Sequence, residues 1–79
     1  SQFINVFFQG KISVLDANTK KALPYVAIQY LGTEKGFYTN KKGEFLLAIN
    51  NIDSVKVSHV GYHSLRLKVS KILGTIYLI

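Results

Sequence analysis

The stretch Gly32-Thr33-Glu34-Lys35-Gly36-Phe37-Tyr38-Thr39-Asn40-Lys41-Lys42-Gly43-Glu44-Phe45-Leu46-Leu47 decides the fold. It reads as two short strands, 36–39 and 44–49, with a tight reversal at Asn40-Lys41-Lys42-Gly43 between them. Asn and Gly tolerate positive φ at little cost, so they can supply the turn between Tyr38 and Phe45. In the second strand Phe45, Leu47 and Ile49 fall on one face, the alternation of a half-buried strand.

Working outward, the same period-two pattern recurs with no helical periodicity of useful length. A first strand over 5–15 places Val6, Phe8, Gly10, Ile12 and Val14 on one side. Gly10, where a packing side chain is expected, predicts a bulge or a close backbone approach. Residues 16–21 form a turn, and Pro24 leads into a second strand over 25–31, where its missing N–H does least harm. A fifth strand alternates Val55, Val57 and His59 with Lys56 and Ser58. A sixth follows Gly61, with His63, Leu65, Leu67 and Val69 opposite Tyr62, Ser64, Arg66 and Lys68. Gly74 opens a seventh at 75–79. Seven short strands with Gly and Asn turns predict an all-β fold, a seven-stranded antiparallel β-sandwich. The predicted interior is Phe8, Ile12, Val14, Val26, Ile28, Phe45, Leu47, Val55, Val57, Leu65, Leu67 and Ile76.

Composition bounds the rest. Seventy-nine residues, 48% hydrophobic and 18% charged, make one globular domain over 1–79 with a small core. There is no cysteine, hence no disulfide and no thiol chemistry. No apolar run approaches the ~20 residues of a membrane helix, so the chain is not expected to span a membrane itself. The chain is still strand-like where it stops, which suggests a domain cut from a larger protein. The net charge of +6 comes from nine lysines and one arginine dispersed along the chain. Clustered, arginine-containing patches serve nucleic acids better, so no specific nucleic-acid partner is expected. Lysines at turns and strand edges oppose edge-to-edge pairing, so the isolated domain is expected to be a monomer.

Several motifs together resemble the carboxypeptidase regulatory-like domain. Asp16, Thr19, Leu23 and Pro24 match its first turn and the lead into its second strand, with Lys20 where the family has Gly and Ala22 where it has Pro. Gly32, Thr33, Gly36, Thr39, Gly43 and Phe45 match its central element, with Asn40 in place of Asp. Val55, Val57, Ser58, Gly61 and Tyr62 match its last element, with His59 where an aromatic is common. The resemblance implies a transthyretin (prealbumin)-like β-sandwich of Greek-key, Ig-like architecture. Such domains stand beside metallocarboxypeptidase domains or as N-terminal extensions of TonB-dependent outer-membrane receptors. The resemblance therefore implies a non-catalytic accessory module of a bacterial envelope or secreted protein, in the periplasm, at the outer membrane or outside. Its matched residues are scaffold and carry no catalytic role.

The residues themselves suggest no chemistry. Asp16, Glu34, Glu44 and Asp53, the only carboxylates, sit at turns and strand starts rather than in an acid/base pair. Ser13, Ser54, Ser58 and Ser64 lack a nucleophile-elbow context. His59 and His63 would lie ~13 Å apart even along one strand, so they make no metal pair. The reading is thus no catalytic, cofactor-binding or metal-binding residues, no cofactor and no enzyme. Tyr25, Tyr30 and Tyr38 are the candidate binding-face aromatics, since surface tyrosine offers contact area at low entropy cost. The expected partner is the rest of the same polypeptide or another envelope protein, contacted near the apolar ends 3–8 and 76–79 rather than through the central Arg66-bearing face. Carbohydrate is the alternative ligand. An apolar surround for the tyrosines would favour protein docking; nearby Asn or Gln would favour sugar.

Overall fold

The computed structural model describes residues 7–49 and 52–79, and for residues 7–9, 48 and 49 the backbone alone. Seven strands are found among them: β1 (Phe7–Asp16), β2 (Ala27–Tyr30), β3 (Gly36–Tyr38), β4 (Glu44–Ile49), β5 (Ser54–Ser58), β6 (Leu65–Lys68) and β7 (Thr75–Leu78). A single 3-10 turn, Val69–Lys71, joins β6 to β7. The strands form two sheets, one ordered β4-β1-β7 and the other β3-β2-β5-β6.

The inward faces of the two sheets share one core. Ile12, Val14, Phe45, Leu47, Ile76 and Leu78 come from the first sheet, and Ile28, Val55 and Val57 from the second. Alternation within β5 illustrates the cause: Val55 and Val57 are fully buried while Ser54, Lys56 and Ser58 face outward. Connections add Leu23, Val26, Val69 and Ile72 to the same cluster. Leu65 and Leu67, expected in the interior, are half-buried and pack at its margin because β6 is an edge strand. Phe8 and the apolar segment 3–8 lie outside the described side chains.

Two local expectations are met in detail. The β1–β4 register slips between Phe8 and Gly10, and Gly10 has φ of 89°, the bulge that a glycine inside a strand signals. At the decisive turn, the Asn40 Oδ1 accepts the Lys42 and Glu44 amides, both at 2.9 Å. Asn40 thus performs locally what an Asp would do. Gly43 is required twice over: its φ is 75°, and a Cβ there would stand 2.8 Å from the Leu23 carbonyl oxygen. Backbone from β1, from residue 23 and from this turn meets at that point, with the Val14 amide donating to the Gly43 carbonyl at 2.8 Å.

One expectation is corrected. The sandwich is not wholly antiparallel, because β1 and β7 pair in parallel, Ser13 with Thr75 through Asp16 with Leu78. The chain crosses from β6 in one sheet, through the 3-10 turn, to β7 in the other and arrives running the same way as β1. Side-chain alternation is identical in parallel and antiparallel strands, so direction is invisible to it.

Candidate functional site

Tyr25, Tyr30 and Tyr38 separate into two groups. Tyr30 points into the sandwich margin, where its ring meets Phe37 edge-on at 5.6 Å. Burial pushes its hydroxyl pKa upward. It is a packing residue and leaves the candidate site. Tyr25 and Tyr38 remain, 60% and 71% exposed, with Val60 at 91%. They line one shallow concavity of about 350 Å³ together with Ala27, Ser58 and His59.

The sheet register builds this hollow. Ala27 on β2 pairs with Tyr38 on β3 and with Ser58 on β5, so these three side chains form one row across the outer face. The small Ala27 leaves a floor between the Tyr38 ring and the end of β5. Tyr25 closes the row from the segment before β2, and it does so in the left-handed region, at φ of 55°. For a bulky residue that conformation is costly and persists only when its surroundings impose it. Here the Tyr25 amide donates to the Asn40 carbonyl at 3.3 Å, and the next amide, Val26, donates to the Thr39 Oγ1 at 2.8 Å. Thr39 is almost completely buried, so its hydroxyl is an internal acceptor.

The opposite wall rests on a second support. The His59 ring stacks on Tyr62 at 5.7 Å with only 9° between planes. The Tyr62 hydroxyl in turn donates to the Asp16 Oδ2 at 2.6 Å. Asp16 uses its other oxygen to accept the Asn18 and Thr19 amides at 2.7 and 2.8 Å. The Tyr62 bond, with the amides, holds the Asp16 carboxyl below its ordinary pKa despite partial desolvation. The same bond, burial and the Asp16 charge raise the Tyr62 hydroxyl.

The lining of this hollow is mostly apolar and aromatic. Phenol rings, a valine and an alanine surround one serine hydroxyl and one imidazole. Among the described residues no three His, Asp or Glu side chains converge. His63, expected on the inner face of the sixth strand, is exposed ahead of β6, its amide donating to the Ile79 carbonyl at 2.8 Å. The sequence did not single out Val60 as a surface group. An apolar residue directly before the turn glycine Gly61 was the available signal. The expected C-terminal docking segment is largely used elsewhere, since Ile76 and Leu78 are buried in the core.

Two sheets of three and four strands around one core define an all-β sandwich module. The chain belongs to the CarboxypepD_reg-like domain family, whose sequence model matches residues 8–75. This is a regulatory-like domain type, generally non-catalytic. Among curated proteins and among solved structures none matches the chain significantly.

Proposed function

We propose that this domain is a non-catalytic docking module of a bacterial envelope or secreted protein, and that the Tyr25–Tyr38 hollow receives an apolar side chain from another domain or protein. The carrying observation is Tyr25 itself, an exposed aromatic kept in a left-handed conformation beside Tyr38 and Val60. Exposed apolar groups held in a strained, shaped arrangement mark contact sites more than solvated surface. The lining favours protein over sugar, because it contains no Asn, Gln or carboxylate to pair with sugar hydroxyls. Membership of the family supports an accessory role, and the resemblance to receptor extensions supports the envelope setting and a transthyretin-like topology.

Hydrogen exchange on the isolated chain and on its full-length parent tests this reading. Extra protection around residues 25–27, 38 and 58–60 in the parent, lost in a Tyr25→Ala/Tyr38→Ala variant that unfolds normally, is the expected result. No change at those amides, with glycan binding that the same variant abolishes, would replace docking by carbohydrate recognition.

A further inference from the structure

We infer that the outer edge of β6 receives an extended segment of a partner protein in which acidic and apolar residues alternate. This site lies on a different strand from the tyrosine hollow and goes beyond that reading. β6 is the last strand of the four-stranded sheet, bonded to β5 on one side. Among the described residues its outer side has no backbone partner outside the strand ladder. Its side chains alternate Leu65, Arg66, Leu67, Lys68, with both leucines half-buried and both cations exposed.

Each half of that alternation lacks something an added strand would supply. Directly across the ladder, Val57 and Val55 are fully buried, whereas Leu65 and Leu67 keep an open flank. That flank continues into an apolar concavity of about 200 Å³ lined by His63, Ser64, Leu65, Tyr77, Leu78 and Ile79. On the outward face Arg66 stands opposite Lys56, and Lys68 lies one step along, opposite Ser54. Like charges directly across a ladder repel. Among the described residues the one ion pair is Lys11–Glu44, on the other sheet, and the carboxylate beside this group, Asp53, accepts the Ser54 hydroxyl at 2.9 Å rather than pairing with Arg66 or Lys68. Glu34 is at the far edge, near Gln29 and Gly36.

An added strand matches both needs at once. Its alternate side chains repeat every ~6.8 Å, the same step that separates Arg66 from Lys68. Acids at those positions meet the cations, and the intervening apolar residues cover Leu65 and Leu67. Main-chain bonding to the edge gives affinity and the alternation gives specificity. A second copy of β6 is a poor occupant, because it brings cations against cations. The partner is therefore a different, acidic strand.

The test uses a fluorescein-labelled octapeptide of alternating glutamate and valine, with the chain unmodified otherwise, at physiological salt. Binding should appear by anisotropy, with added exchange protection at the amides of 65–68. Arg66→Glu/Lys68→Glu should weaken it about tenfold or more and should instead bind a lysine–valine octapeptide. The proposal is overturned by no binding of the glutamate peptide, by equal binding to the double variant, or by protection on β4 alone. It is equally overturned if duplex DNA, or vesicles of phosphatidylcholine and phosphatidylglycerol, bind this edge more tightly than the peptide.

Discussion

Asp16 and Tyr62, 46 residues apart in sequence, are joined by a 2.6 Å hydrogen bond that ties the end of β1 to the turn after β5. The bond links the two sheets and, through the His59 ring stacked on Tyr62, supports one wall of the tyrosine hollow. A tyrosine hydroxyl anchored at a strand corner is a device of β-sandwiches generally.

Tyr62→Phe should lower the melting temperature and flatten its pH dependence at both ends. The folded Asp16 titrates below its unfolded value, so its stabilisation is present above the ordinary aspartate range and is lost as pH falls through the folded value. The folded Tyr62 titrates above its ordinary 10.0, so its stabilisation is present below pH 10.0 and is lost as pH rises beyond it. Melting curves across pH check this. Parallel acid and alkaline limbs in parent and variant would sink the assignment.

Thr39→Val keeps the shape but removes the acceptor for the Val26 amide, 2.8 Å away in a buried setting. An orphaned buried N–H costs about 1–3 kcal/mol. Thr39→Ser retains the hydroxyl and should lose only about 1 kcal/mol for the missing methyl. Denaturant titration giving valine and serine variants of equal stability would contradict this role.

Lys20→Gly should stabilise the domain. Lys20 occupies φ of 64°, a conformation that disfavours side chains with a Cβ by about 1–2 kcal/mol. Its ammonium bonds the Ala17 carbonyl at 2.6 Å and sits 4.8 Å from the Tyr77 ring centre, but both contacts are exposed and worth less. A net gain of about 1 kcal/mol is expected, while Lys20→Ala should be a loss. A glycine variant less stable than the alanine variant would refute it.

Phe45→Ala should cost about 3–5 kcal/mol, a large share of a small domain's stability. The ring lies in the core, 5.6 Å from Phe37 across the two sheets. Thermal unfolding indistinguishable from the parent would show the core to be wrongly placed.

What the sequence made legible follows from what alternation can carry. β4, β5 and the turn at Asn40 were readable because their side chains and turn residues are determined within a few positions of one another. The burial of Ile72 was not, since it follows the 3-10 turn Val69–Lys71 and lies outside any strand period. Nor was Leu23, whose burial depends on backbone meeting at Gly43 from three places. Of the candidate site, the exposure of Tyr25 and Tyr38 was anticipated from residue type alone. Tyr30 was misplaced because a tyrosine one pleat along the same strand as Ile28 faces inward, and propensity does not say how far that face is covered.

The parallel pairing of the first strand with the last has a mechanical meaning. Tension applied through the two ends of the chain draws β1 and β7 along each other in opposite senses, so the bonds between residues 13–16 and 75–78 bear load together rather than one after another. Pulling through the ends should therefore rupture the domain at higher force than pulling through residues 13 and 44, which opens the antiparallel β1–β4 ladder across its width. Equal forces in the two geometries would remove the distinction. A module strung between a tether and a larger body would hold its shape while transmitting the strain between them.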